Sequence, residues 1–151
     1  MINNAGIWIE GFLEDNQFEQ IKKTIEVNLL GSIYLTKLVI PIMKKQRSGD
    51  IVFINSQAGL TVKPKRSVYN ATKWGLNGFS KSLQKELVSF NIRVFNIYPG
   101  KMKTSLFEKA SVEKDLSDAF DPKYLAKLIK EVILLPKEIV VSELGIKNLK
   151  Q

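Results

Sequence analysis

Four consecutive apolar residues, Ile51-Val52-Phe53-Ile54, follow directly on the stop signal Ser48-Gly49-Asp50. A run that is apolar without alternation suits a strand buried on both faces, the habit of parallel sheets covered by helices. The flanking segments agree. Met1-Ile2-Asn3-Asn4-Ala5-Gly6 reads as the end of a strand entering a small-residue turn. From Asp15 to about Arg47, Phe18, Ile21, Ile25, Leu29, Ile33 and Leu38 recur at helical spacing, with Pro41 expected to kink or fray the end. After a loop with Gly59 and Pro64, Val68 to Phe90 reads as a long helix. Arg93 to Tyr98 is the next strand, stopped by Pro99-Gly100. Asp121-Pro122 is an N-cap with Pro at the first helical position, opening a helix to about Leu135. Ile139 to Ile146 makes a last strand. Strands and helices alternate, so the chain is expected to be α/β, a Rossmann-like parallel sheet with helices on both faces.

Composition narrows the chemistry. The 151 residues contain no Cys and no His, which removes thiolate nucleophiles, disulfides, imidazole bases, Ser-His-Asp triads and Cys or His metal sites. Acid–base work must fall to Tyr, Lys, Asp or Glu. The net charge of +8 comes from 20 Lys and only three Arg, scattered without a block of five like charges. That pattern argues for a solvated surface rather than a nucleic-acid footprint. No apolar run approaches the ~20 residues of a membrane span, and Met1 opens onto Asn3 and Asn4 rather than a basic-then-apolar leader. A cytoplasmic protein with no membrane partner is the expectation.

Tyr69 and Lys73 lie four apart on the long predicted helix and share a face. Taken alone the pair means little, because four Tyr and 20 Lys in 151 residues yield about half a Tyr-x-x-x-Lys match by chance. Its surroundings carry more. Ser56 ends the apolar strand 13 residues before Tyr69, and Asn28, a poor helix former, sits inside the first helix. Asn3-Asn4-Ala5-Gly6 and Pro99-Gly100-Lys101-Met102-Lys103-Thr104 follow strand ends, where open α/β sheets place their ligands.

With these pieces in this order the chain resembles the classical branch of the short-chain dehydrogenase/reductase family. The motifs cover residues 3 to 104, and the closing Val-Ser-Glu-Leu strand is similar to the family's last one. The resemblance implies an NAD- or NADP-dependent oxidoreductase that interconverts an alcohol and a carbonyl. It implies Asn28, Ser56, Tyr69 and Lys73 as catalytic residues, with Tyr69 as proton donor or acceptor. Lys73 would bring the Tyr69 pKa nearer neutrality and hold the nicotinamide ribose, Ser56 would bind the substrate oxygen, and Asn28 would hold a relay water. Cofactor contacts would come from Asn3, Ala5, Gly6, Tyr69, Lys73, Pro99, Gly100, Met102 and Thr104, and no metal is implied. Substrate choice would rest with Ser105 to Phe120, which could form a small lid helix. The family's N-terminal Gly-rich turn has no match, so residues 1–151 read as one partial Rossmann-type catalytic domain, N-terminally truncated. A homodimer or homotetramer is the expected assembly. The alternative is a non-catalytic remnant serving as a dimerisation or interaction module.

Overall fold

The computed structural model describes residues 1–150. Four strands, β1 (Ile2–Asn3), β2 (Gly49–Ile54), β3 (Ile92–Pro99) and β4 (Glu143–Ile146), form one sheet in the order β1-β2-β3-β4. All pairs are parallel, with Ile51 opposite Val94 and Ile97 opposite Leu144. The expected architecture is therefore present. Its last strand is shorter than the sequence suggested, because residues 139–142 lie outside the ladder.

The two-residue period of the strands sorts the core into two layers. Ile51, Phe53, Ile92 and Val94 pack with Met43, Leu76, Leu83 and Leu87, from helices α2 (Gly31–Gln46) and α3 (Ser67–Glu86) and the turn after α3. Val52, Ile54, Phe95 and Ile97 face the other way, onto Leu125, Ile129 and Val132 of α4 (Pro122–Ile133). Asp121 caps α4 by accepting the Lys123 amide at 2.8 Å, with Pro122 at the first helical position. Arg93 ties the sheet to the α4 C-terminus. It donates to Asp50 Oδ1 at 2.7 Å and to the carbonyls of Ile133, Leu135, Pro136 and Ile139.

The first predicted helix is α1 (Phe18–Ile25), a five-residue π turn (Glu26–Leu30) and α2 in continuous succession. It runs through Pro41 to Gln46, where Arg47 takes a left-handed conformation. The expectation that nothing here matches a membrane span needs correction. By length and composition alone Phe18–Gln46 qualifies, with a mean hydropathy of 1.4 in its most apolar window. In this fold its inward residues are Thr24, Asn28, Ser32, Thr36 and Met43, while Tyr34, Leu35, Leu38 and Ile42 are exposed. No lid helix forms in Ser105 to Phe120. A single 3-10 turn (Glu108–Ala110) is present, and the Lys103 amide closes the loop onto the Phe120 carbonyl at 2.9 Å.

Candidate active site

The carboxyl ends of β1, β2 and β3 open into one cleft of about 1130 Å³. The inward face of α3 carries Val68, Tyr69, Thr72, Lys73, Leu76, Asn77 and Ser80 at helical spacing, so the Tyr–Lys pair points at the sheet rather than at solvent. Tyr69 and Lys73 are 5% and 3% exposed, and the ammonium nitrogen lies 5.8 Å from the tyrosine ring centroid. Lys73 Nζ donates to the Ile54 carbonyl at 3.3 Å.

Ser56 does two things at the end of β2. Its Oγ accepts the Ala58 amide at 3.1 Å, capping the turn Gln57–Gly59, and its hydroxyl faces that of Tyr69. Gly59 is required by proximity. A Cβ there would stand 2.9 Å from both Asn55 Oδ1 and the Lys73 carbonyl, and backbone cannot retreat cheaply.

Electrostatics follow burial. Desolvation pushes the Tyr69 hydroxyl up to about 12, against the opposing pull of Ser56 and of the Arg66 charge. Desolvation also brings Lys73 down to about 8. The sequence argument moved Tyr69 the other way, toward neutrality. Burial outweighs its polar neighbours, so at neutral pH the phenol is protonated.

Asn28 occupies the π turn and is fully buried. Its Oδ1 accepts the Ile7 amide at 2.7 Å, and its Nδ2 donates to the Ile7 carbonyl at 2.9 Å and to Thr72 Oγ1 at 3.3 Å. A polar residue mid-helix is thus explained by a clamp on the backbone after Gly6. The extra residue of a π turn is a common way to aim such a group. Gly6 lies between the two functional elements, since a Cβ there would sit 3.6 Å from Asn28 Oδ1 and 3.8 Å from Lys73 Nζ.

Of the remaining expected residues, Gly6, Tyr69, Lys73, Pro99, Gly100, Met102 and Thr104 line the cleft. Asn3 is turned away, donating from Nδ2 to Thr36 Oγ1 at 3.3 Å, and Ala5 is exposed beside it. Asn4 lines the cleft instead. This is the ordinary consequence of alternation along an extended segment.

A second cluster escaped the sequence reading. Trp8 packs against Tyr69 at 4.4 Å between ring centroids and meets Phe107 edge-on at 4.9 Å. Its Nε1 donates to Glu10 Oε2 at 3.1 Å. Lys114 Nζ reaches both Glu10 oxygens, at 2.8 and 2.7 Å, and Arg66 Nε stands 3.5 Å from Oε1. The two cations hold Glu10 below the usual carboxylate range although burial opposes this. Residues 8, 10, 66, 107 and 114 come from three distant segments, and no periodic signal marks them.

The residues present fit the nicotinamide-ribose end of a dinucleotide. Lys73 has three N–H donors and one hydrogen-bond acceptor among the described residues, beside a glycine that keeps the approach open. Such a donor suits a ribose diol.

The short chain dehydrogenase family profile matches residues 1–115. An uncharacterized oxidoreductase of Staphylococcus saprophyticus is 33% identical over all of this chain and 65% of its own length. Trans-4-hydroxycyclohexanecarboxylate dehydrogenase of Sinomonas cyclohexanicum is 39% identical over 70% of this chain and 40% of its own. Among solved structures, the alcohol dehydrogenase of Thermococcus sibiricus with 5-hydroxy-NADP has a TM-score of 0.89 at 26% identity, covering 99% of this chain and 63% of that one. The closed form of serine dehydrogenase with NADP+ has a TM-score of 0.91 at 26% identity, covering 99% and 64%. The chain spans about two thirds or less of the length of these relatives. By its profile match and by the sheet and cleft that carry the matched motifs, the chain belongs to the short chain dehydrogenase family.

Proposed function

We propose that this chain carries the acid–base and nicotinamide-facing residues of an oxidoreductase that interconverts an alcohol and a carbonyl with NAD or NADP. The observation that carries the reading is the buried Tyr69–Lys73 pair with Ser56 facing the phenol at the floor of the cleft. The NADP-type cofactors named for the Thermococcus sibiricus enzyme and for serine dehydrogenase support the cofactor class.

A bound reduced nicotinamide supplies the hydride to the carbonyl carbon. Negative charge then builds on the carbonyl oxygen, and Tyr69 gives that oxygen its proton. A phenol held near 12 keeps that proton at neutral pH until the oxygen becomes basic enough to take it. Ser56 donates to the same oxygen and so fixes the carbonyl against Tyr69. Lys73, as ammonium, stabilises the phenolate left behind and donates to the ribose. Asn28 acts through Ile7, holding the turn at Gly6 against the Lys73 head. Pro99, Gly100, Met102 and Thr104 form the wall that orients the carboxamide, and Asn3 and Ala5 shape the turn on the adenosine side.

The assembly we propose is a homo-oligomer. Tyr34, Leu35, Leu38 and Ile42 leave exposed apolar side chains along α2, and Trp74 leaves one on α3.

The test is Tyr69→Phe in the protein, with reduction followed by loss of nicotinamide absorbance. Turnover should fall by ~10²–10⁴-fold with the melting temperature unchanged, because one hydroxyl is removed and the ring stays. Wild-type turnover in Tyr69→Phe would refute the assignment.

A further inference from the structure

We propose that the substrate is a short hydroxy acid or its oxo acid, and that Arg66 binds its carboxylate. The proposal rests on the reading above for where the reacting oxygen sits. Its own support is the state of Arg66. The residue stands three before Tyr69, lines the cleft, and its charge reaches the tyrosine hydroxyl. Its guanidinium carbon lies 5.0 Å over the Trp8 ring, and its side chain is only 23% exposed.

A guanidinium has five N–H donors, and leaving buried donors unmet is costly. Among the described residues Nε is buried and makes no hydrogen bond, while the two terminal nitrogens are not buried in that way. The nearby carboxylate does not fill that need. Glu10 lies 3.5 Å from Nε, and its two oxygens already accept from Lys114 and Trp8. Arg66 and Lys114 against Glu10 leave one net positive charge in a mostly enclosed corner. Planar forked donors match a carboxylate better than any other small-molecule group of this size.

Position sets the length of the ligand. Arg66 stacks over Trp8, whose ring packs against Tyr69 at 4.4 Å between centroids, so the acid group and the reacting carbon fall on either side of one indole, a short ligand's span. Trp8, wedged between Tyr69 and Phe107, bounds the space beyond. A short acid fits this corner, and a bulky neutral alcohol would leave the buried Nε without an acceptor.

The experiment uses binding, so that it does not depend on turnover. Trp8 and Trp74 are the two tryptophans of the chain. In a Trp74→Phe background, Trp8 fluorescence is titrated with acetoacetate and with its neutral isostere acetoacetamide, with and without saturating NADP+. Acetoacetate should quench saturably and bind at least about ten-fold tighter than the amide. Arg66→Gln should weaken acetoacetate about ten- to a hundred-fold and leave the amide unchanged. Arg66→Lys, which keeps the charge but loses the fork, should fall between and guards against a folding failure in the Gln variant. The readout is binding and needs no turnover, so a failed proton-transfer assignment at Tyr69 is told apart from a failed carboxylate site. Equal binding of acid and amide, no saturable binding of the acid, or an Arg66→Gln protein that binds acetoacetate like the parent would each overturn the proposal.

Discussion

Replacing Lys73 with methionine should make the protein more stable at neutral pH while abolishing activity. The ammonium is fully buried, and desolvation alone brings its pKa from 10.5 to about 8. At about 1.4 kcal/mol per pH unit, that drop corresponds to a cost of about 3 kcal/mol for keeping the folded lysine charged. Methionine fills a similar volume without a charge, but forfeits the hydrogen bond to the Ile54 carbonyl, which contributes about 1 kcal/mol. The net expectation is a gain of about 2 kcal/mol at pH 7. The sign over pH follows from the lowered value. Between about 8 and 10.5 the unfolded chain binds more protons at this position than the folded one, so the native lysine's cost is complete below about 8 and fades as pH rises to 10.5. Urea denaturation of both proteins across that window should therefore show the methionine variant ahead at neutral pH and its lead shrinking with alkalinity. Taking the difference cancels the titration of Tyr69, which both proteins share. A variant that is less stable at neutral pH, or a lead that does not change with pH, would refute the reasoning.

Asn28→Ala should cost about 2–3 kcal/mol in thermal unfolding, because it strips partners from the buried Ile7 amide and carbonyl and from Thr72, and cofactor affinity should drop as the Gly6 turn loosens. The Arg93 and Lys137 charges hold the Asp50 carboxyl below its ordinary value, so its contribution is present above pH 4 and lost as pH falls through the lowered pKa. Acid titration of stability should show that slope in the parent and a flatter curve in Asp50→Asn. Leu38→Asp, on the exposed apolar face, should shift sedimentation toward the monomer without altering the fold, and an unchanged profile would remove that face from the assembly.

The sequence alone determined the layer architecture, because periodicity is local. Ile51 to Ile54, bounded by Ser48-Gly49-Asp50, suited a doubly buried strand, and the i, i+4 placement of Tyr69 and Lys73 put both on one helical face. Asp121-Pro122 marked its helix start through chemistry contained in two residues. What the tertiary structure decided is everything that depends on which distant groups exclude water together. Tyr69 and Lys73 share a face by spacing, yet their opposite pKa displacements arise from the sheet and loops closing over that face. Asn28 is a poor helix former in sequence, and only the approach of Ile7, 21 residues away, gives its amide a purpose. The corner built from Trp8, Glu10, Arg66, Phe107 and Lys114 had no signature at all, since Lys114 and Glu10 are 104 residues apart and no local pattern couples them. Charge and hydrogen-bond complementarity act through space, and spacing along the chain records them only when a single helix or strand happens to carry both partners.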